Sequence, residues 1–178
     1  MRATTVGRSL LSICTVGVLG VLANACAPSG KSSSSGGLLA GNAAERTYVP
    51  PGSYDEYYAF LSGGFSGQVT VYGLPSGRLF KQIPVFSQFP QTGYGYDEDS
   101  KAMLNTTFGF VPWDDAHHTE MSLTNGVPDG RWLFINGNNT PRIARIDLKR
   151  FETTEILQIP NAAGGHASPF ATPDTKYV

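Results

Sequence analysis

The sequence predicts an all-β fold, because its composition, its strand pattern and an internal repeat all indicate short strands joined by turns. The 178 residues include 21 glycines and 12 prolines, and 11% of the residues are aromatic. Glycine supplies the positive φ angles of tight turns, and proline is excluded from the interior of a sheet. No long run has a helical period, so strands are the predicted elements.

The predicted strands form two groups separated by a long loop. Each strand is a β-branched or aromatic run bounded by glycine or proline. The first group comprises 56–64, 67–74 and 77–86, and the second comprises 130–138, 141–148 and 152–160. The loop, 87–110, has no period, and a loop of this length in a compact domain is usually functional or disordered.

An internal repeat predicts how the strands are arranged. Residues 68–84 and 142–160 share one layout, in which an alternating strand ends in leucine, a short turn follows, and a second strand closes on Gln-Ile-Pro. Such repetition is typical of β-propeller blades. A β-sandwich with similar hairpins is the alternative, and the repeat favours the propeller.

The N-terminus predicts export. Arg2 and Arg8 give a positive start, and the apolar segment that follows ends in small residues and is too short for a comfortable transmembrane span. We therefore predict a signal peptide at 1–25. Cys26 follows at once, so the mature chain begins at this residue, either lipidated as in a bacterial lipoprotein or unmodified after ordinary cleavage.

The remainder divides into a flexible Ser/Gly-rich tether at 26–47 and a domain at 48–178. This organisation predicts a periplasmic protein anchored to the membrane as a lipoprotein. Cys14 is removed with the signal peptide, so the mature chain keeps at most Cys26. Without a thiolate site, any metal must be held by histidines and carboxylates.

Charge and motifs exclude several functions. Lys and Arg total 13 against 14 for Asp and Glu, and no basic run is present, so nucleic acid is excluded as a predicted partner. The sequence has no Gly-x-Ser-x-Gly elbow, no His-Glu-x-x-His and no glycine-rich phosphate loop followed by lysine. Hydrolytic chemistry of those kinds is therefore not predicted.

The stretch WDDAHHTEMS carries two of the three histidines, His117 and His118. Adjacent residues on a regular strand point to opposite faces, so the pair predicts a bent backbone in a loop, or a site with several ions. Asp115 beside them is either a residue that orients a ligating imidazole or a substrate, or a simple turn residue. Asp114 and Glu120 are interpreted as solvated neighbours.

The third histidine, His166, follows Gly164 and Gly165, which allow close approach of the backbone. In a propeller it would project from a neighbouring blade toward the same axis as the histidine pair, so the three side chains could converge. Imidazole suits zinc, copper, iron and nickel, and the residues alone do not name the metal.

Three stretches in combination resemble the N-terminal propeller segment of nitrous-oxide reductases. They are SGGFSGQVTVYGLPSGRL, the stretch GFVPWDDAHHTEMSLTNGVPDGRWLFINGNNTPRIARIDL, and IPNAAGGHASPF. The variant exported through the general secretory route is the most similar, because no twin-arginine motif precedes the apolar segment. The resemblance extends from about Tyr48 to Val178.

The resemblance implies a seven-bladed propeller, of which this chain would supply the first blades, with a four-copper sulfide cluster held by seven histidines. His117 and His118 match the paired copper ligands of the family, His166 matches the next ligand along the chain, and Asp115 matches the catalytic carboxylate beside the substrate pocket. The histidine pair would then bind different coppers of one cluster.

The resemblance also implies partners. The substrate would be nitrous oxide, reduced to dinitrogen and water, and the electron donor a periplasmic protein such as a c-type cytochrome. A dinuclear copper site in a further domain, a homodimeric complete enzyme, and calcium as an additional ion belong to the same expectation. We expect this chain alone, as an N-terminal fragment, to be inactive. The alternative function is a lipid-anchored propeller that binds a partner without metal.

Overall fold

The computed structural model describes residues 42–178, and strands dominate this part of the chain. The helices are α1, Ala43–Thr47, and α2, Glu98–Met103. The strands are β1 Tyr57–Ser62, β2 Gln68–Leu74, β3 Leu79–Pro84, β4 Asn105–Thr106, β5 Gly109–Phe110, β6 Ala116–Thr124, β7 Val127–Gly137, β8 Arg142–Asp147 and β9 Glu152–Gln158. The signal peptide and Cys26 lie outside the described residues.

The strands form antiparallel meanders, in which each strand pairs with its neighbour along the chain. One sheet has the order β1-β2-β3, a second has the order β6-β7-β8-β9, and β4 and β5 make a small hairpin. The predicted repeat corresponds to the hairpins β2–β3 and β8–β9, and each of these hairpins ends its own sheet. The all-β fold with partial propeller blades is confirmed.

A single hydrophobic core joins the two larger sheets. On β2 the buried residues alternate with less buried ones, and β8 alternates in the same way, as expected for strands with one face against a core. Each fully buried valine, leucine or isoleucine stabilises the fold by about 1.5–3 kcal/mol. The core residues are Val69, Val71, Ile83, Val85, Phe86, Ala116, Leu133, Ile135, Ala144 and Ile146.

The segment 87–110, predicted as a loop without structure of its own, is partly regular. It contains α2 and the β4–β5 hairpin, and the buried Tyr94 hydroxyl donates to the carbonyl of Val85 at 2.8 Å. Asp97 caps α2 by accepting from the backbone N–H of Ser100 at 2.8 Å. The elements are too short to produce a period in the sequence.

One boundary and one strand also differ from the sequence-based expectation. The last residues of the predicted tether form α1, which Asn42 caps through its side chain. Strand β6 was not predicted, because its residues are mostly polar and only partly buried. This strand carries the histidine pair. No helix in the described part of the chain is long and apolar enough to span a membrane.

Candidate metal centre

The three histidines of the sequence converge in the structure. His117 and His118 lie on β6, and His166 lies in the irregular segment that follows β9. One ring nitrogen from each residue lies within 4.8 Å of those from the other two. The ring centroid of His117 is 4.4 Å from that of His118 and 4.4 Å from that of His166, and the third pair is 5.8 Å apart.

A β-bulge in β6 allows both adjacent histidines to take part. Ala116 pairs with Gly137, and the next pair is Thr119 with Ile135, so three steps along β6 oppose two steps along β7. The extra residue bends the strand and changes the direction of its side chains. The pair is therefore in a strand and not in a loop, and the backbone bend that the geometry required is this bulge.

Close packing of the backbone brings His166 to the pair. The N–H of Gly165 donates to the carbonyl of Asn138 at 3.4 Å. A Cβ atom on Gly165 would lie 2.6 Å from the carbonyl oxygen of Gly137, which is closer than a side chain allows. Glycine at this position therefore permits the segment to lie directly against the end of β7.

Asp115 is buried beside the triad. Its Oδ2 atom lies 3.6 Å from Nδ1 of His117 and accepts from the side-chain amide of Asn138 at 3.2 Å. A carboxylate next to Nδ1 favours the tautomer with the proton on that nitrogen, which leaves Nε2 of the imidazole free to bind a metal. The interpretation of Asp115 as a mere turn residue does not account for this contact.

The second carboxylate oxygen of Asp115, Oδ1, is buried and has no hydrogen-bond partner among the described residues. A Cβ atom on Gly64 would lie 3.6 Å from it, so the glycine leaves room on that side. A buried carboxylate oxygen without a partner is costly. Its position next to the histidines fits a group that receives a partner when a ligand or a proton is present.

Asp114 corrects the sequence-based interpretation, which placed it in solvent. Its side chain is fully buried and forms an ion pair with the buried Arg142, with Oδ2 3.4 Å from Nη2. The backbone N–H groups of Asn139 and Thr140 donate to its two oxygens at 2.8 and 3.0 Å, and the Thr140 hydroxyl also donates to it. Asp114 thus fastens the chain before β6 to the turn between β7 and β8.

Arg142 completes this attachment from β8. Its guanidinium donates to the carbonyls of Val111 and Trp113 at 3.0 and 3.4 Å and lies over the ring of Phe86. Burial lowers the pKa of Arg142, and the charge of Asp114 opposes that shift. Sequence reasoning missed this role because a single arginine at a strand start carries no distinctive signal.

Sequence reasoning also missed Asn136, which is buried at the end of β7. Its Oδ1 accepts from the backbone N–H of His118 at 2.9 Å, and its Nδ2 donates to the carbonyl of Gly165. An asparagine directly after the apolar run Trp-Leu-Phe-Ile was an available signal, because a buried amide must find partners for both its donor and its acceptor.

The donor set fits a metal of intermediate softness. Imidazole nitrogens suit copper, zinc, iron and nickel, and no cysteine occurs among residues 42–178. Metal–imidazole bonds are about 2.0 Å long, so two nitrogens on one ion are at most about 4 Å apart. A triad within 4.8 Å is therefore compatible with one ion after small rotations of the rings, or with several adjacent ions.

Comparisons with known proteins give one consistent result, although no family model matches the chain. The chain is 41% identical over 137 residues to the nitrous-oxide reductase of Pseudomonas fluorescens, covering 76% of this chain and 21% of that protein. It is 38% identical over 135 residues to the nitrous-oxide reductase of Stutzerimonas stutzeri, covering 75% of this chain and 21% of that protein. For the nitrous-oxide reductase of Ralstonia nicotianae, the identity is 35% over 147 residues, covering 79% of this chain and 22% of that protein.

These matches confirm the resemblance that the sequence motifs indicated. The chain is similar, over about three quarters of its length, to a segment of nitrous-oxide reductases, and it spans about a fifth of the length of the curated relatives that it matches.

Proposed function

We propose that this chain contributes to the catalytic centre of an oxidoreductase that reduces nitrous oxide to dinitrogen and water, and that His117, His118 and His166 bind copper there. The observation that carries the proposal is the convergence of three imidazole donors within 4.8 Å, two of which lie on a bulged strand. The identity to nitrous-oxide reductases supports the choice of substrate and of copper over other metals that imidazole accepts.

Each residue has a part in this proposal. When bound, a copper cluster would supply two electrons and act as a Lewis acid toward the substrate oxygen. His117, His118 and His166 hold and orient the cluster. Reduction of one nitrous-oxide molecule also consumes two protons, and Asp115 lies where it can orient His117 and hold a proton on its unpartnered Oδ1.

Replacement of the ligands tests the proposal in the complete gene product. His117→Ala, His118→Ala and His166→Ala should each lower the copper content and abolish nitrous-oxide consumption, because each removes a metal ligand. Asp115→Asn should keep the copper and slow turnover, because it changes orientation and charge more than occupancy. Thr119→Val, next to the pair on β6, serves as the control with parental copper content and activity.

Full activity in any of the three histidine variants would contradict the assignment of that residue. A native protein that is properly folded but free of copper would contradict the metal centre as a whole. It would favour the alternative, a propeller that binds a partner without metal.

The proposal includes a periplasmic location, a lipid anchor on Cys26, a homodimeric enzyme and a periplasmic electron donor such as a c-type cytochrome. The basis for export is the apolar N-terminal segment followed at once by Cys26. Intact-mass spectrometry of the native protein should detect a lipidated Cys26 at the mature N-terminus. An unmodified Cys26 would contradict the anchor and leave export intact, whereas a retained Met1 would contradict both.

A further inference from the structure

The bulge in β6 places His117 and His118 outside the regular pairing with β7. Between the pairs Ala116 with Gly137 and Thr119 with Ile135, one residue of β7 has no paired residue on β6, and that residue is Asn136. Its side chain takes over the missing contact, because Oδ1 accepts from the N–H of His118 at 2.9 Å. A buried N–H needs such a partner, so Asn136 stabilises the bulge at the histidine itself.

The same side chain holds the segment that carries the third histidine. Nδ2 of Asn136 donates to the carbonyl of Gly165, the residue before His166. This segment has no regular secondary structure, and in the described part of the chain its other backbone contact at Gly165 is the 3.4 Å hydrogen bond to Asn138. The amide of Asn136 is therefore one of two attachments at this position, and it comes from a side chain.

We propose that Asn136 is a positioning residue that sets the separation between His118 and His166, and thereby the metal affinity of the triad. One rigid amide group joins the backbone of one ligand to the residue next to another ligand, and Asn136 is only 3% exposed. The inference rests on the proposed function, because it assumes that these histidines bind copper.

Replacement of Asn136 by aspartate removes one of its two hydrogen bonds and keeps the other. Asn136→Asp keeps an oxygen that can accept from His118, but an ionised carboxylate has no hydrogen to donate to Gly165. Two oxygens would then face each other, and we expect the segment with His166 to move away. The added negative charge alone would strengthen binding of a cation, so weaker binding would show that the effect on ligand position outweighs the effect of charge.

The test measures Cu(I) affinity of the metal-free complete gene product, by titration with Cu(I) alone against a chromophoric chelator. We expect Asn136→Asp to weaken binding by about 10- to 100-fold, as for other residues that orient metal ligands, and to change the absorption spectrum of the copper-loaded protein. Asn139→Asp is the matched control, because it makes the same chemical change at an exposed asparagine three residues away. It should match the parent protein.

Two further measurements separate the possible outcomes. Asn136→Gln keeps both hydrogen-bonding groups on a longer side chain, so it should shift the spectrum while it retains more affinity than the aspartate variant. His166→Ala is titrated in parallel. If His166→Ala weakens binding and Asn136→Asp does not, the positioning role is wrong and the metal centre stands. If neither changes the affinity, the proposed metal centre itself is wrong.

Discussion

Asp114 and Asp115 are neighbours in the chain with different roles in the structure. Asp115 faces His117 and keeps one oxygen without a partner, whereas Asp114 is saturated with donors and paired with Arg142. Asp114 therefore holds in place the backbone from which Asp115 and the histidines extend. The backbone N–H of Asp115 adds to this attachment, because it donates to Oδ1 of Asp114 at 2.8 Å.

Removal of the Asp114 carboxylate should destabilise the protein strongly. In Asp114→Ala the buried Arg142 loses its counter-charge, and loss of one partner of a buried ion pair typically costs about 3–5 kcal/mol. Chemical unfolding at neutral pH measures this change in the free energy of unfolding. Asp99→Ala, at an exposed aspartate of α2, should change it by less than about 0.5 kcal/mol. Similar stability of the two variants would show that Asp114 does not anchor the site.

Sequence reasoning identified the residues with distinctive chemistry and missed those that support them. His117, His118, His166 and Asp115 stood out because the sequence has only three histidines and two of them are adjacent. Asp114 looked the same as Asp115 in the sequence, because the donors that bury it come from the turn between β7 and β8 and from β8 itself. Such long-range partners cannot be read from a local pattern.

At the scale of elements, the site depends on two departures from regular structure, the bulge in β6 and the closely packed segment after β9. Alternation predicted β2 and β8, since each has one face in the core. It did not predict β6, which lies at the edge of its sheet and carries polar residues on both faces. The bulge was inferred only as a requirement for a bend, and its register was visible only in the structure.

The packed segment gives a prediction with a matched control. Gly165→Ala should lower both stability and metal affinity, because its Cβ would lie 2.6 Å from the carbonyl oxygen of Gly137 and would force the segment with His166 away. Gly164→Ala makes the same substitution one residue earlier, where the Cβ would meet the carbonyl oxygen of Asn138 at an ordinary 3.6 Å. Cu(I) titration and chemical unfolding of both variants measure the difference. Equal affinities would contradict the close approach at Gly165.

Across the whole described molecule, lowered carboxylate pKa values accompany the turns. Burial alone would raise the pKa of Asp55, but hydrogen bonds from Ser76 and Arg78 outweigh it and lower the value. The pKa values of three other aspartates are lowered too. The main donors are the side chain of Ser100 for Asp97, the side chain of Arg131 for Asp129 and the backbone of Lys176 for Asp174. Each carboxylate thus stabilises a local turn or cap only when it is ionised.

The whole-molecule scale also shows what the repeat could and could not predict. The shared layout of 68–84 and 142–160 correctly predicted two hairpins in equivalent positions of two sheets. It did not predict that these sheets have three and four strands. The additional strand of the second sheet is the polar β6. Its place is fixed by pairing with β7 and not by a hydrophobic pattern of its own, so the repeat contains no signal for it.

The four aspartates with lowered pKa values predict how the stability of the molecule depends on pH. They are Asp55, Asp97, Asp129 and Asp174. A folded-state pKa below the unfolded value of about 3.9 means that the unfolded chain binds protons first as the pH falls. The stabilisation is therefore fully present above about pH 5 and is lost progressively below it, toward the lowered pKa values of the folded state. The midpoint of urea unfolding should fall steadily from pH 5 to pH 2.

Asp129→Asn removes the carboxylate that accepts from Arg131 and from the hydroxyl of Ser122 at the β6–β7 hairpin. It should lower the urea midpoint at pH 7 and reduce the further loss between pH 5 and pH 2, because one of the groups responsible no longer titrates. Asp99→Asn, at an exposed aspartate of α2, should keep the parental profile. If the urea midpoint of the parent protein were constant over this range, the ionised carboxylates would not be what holds these turns.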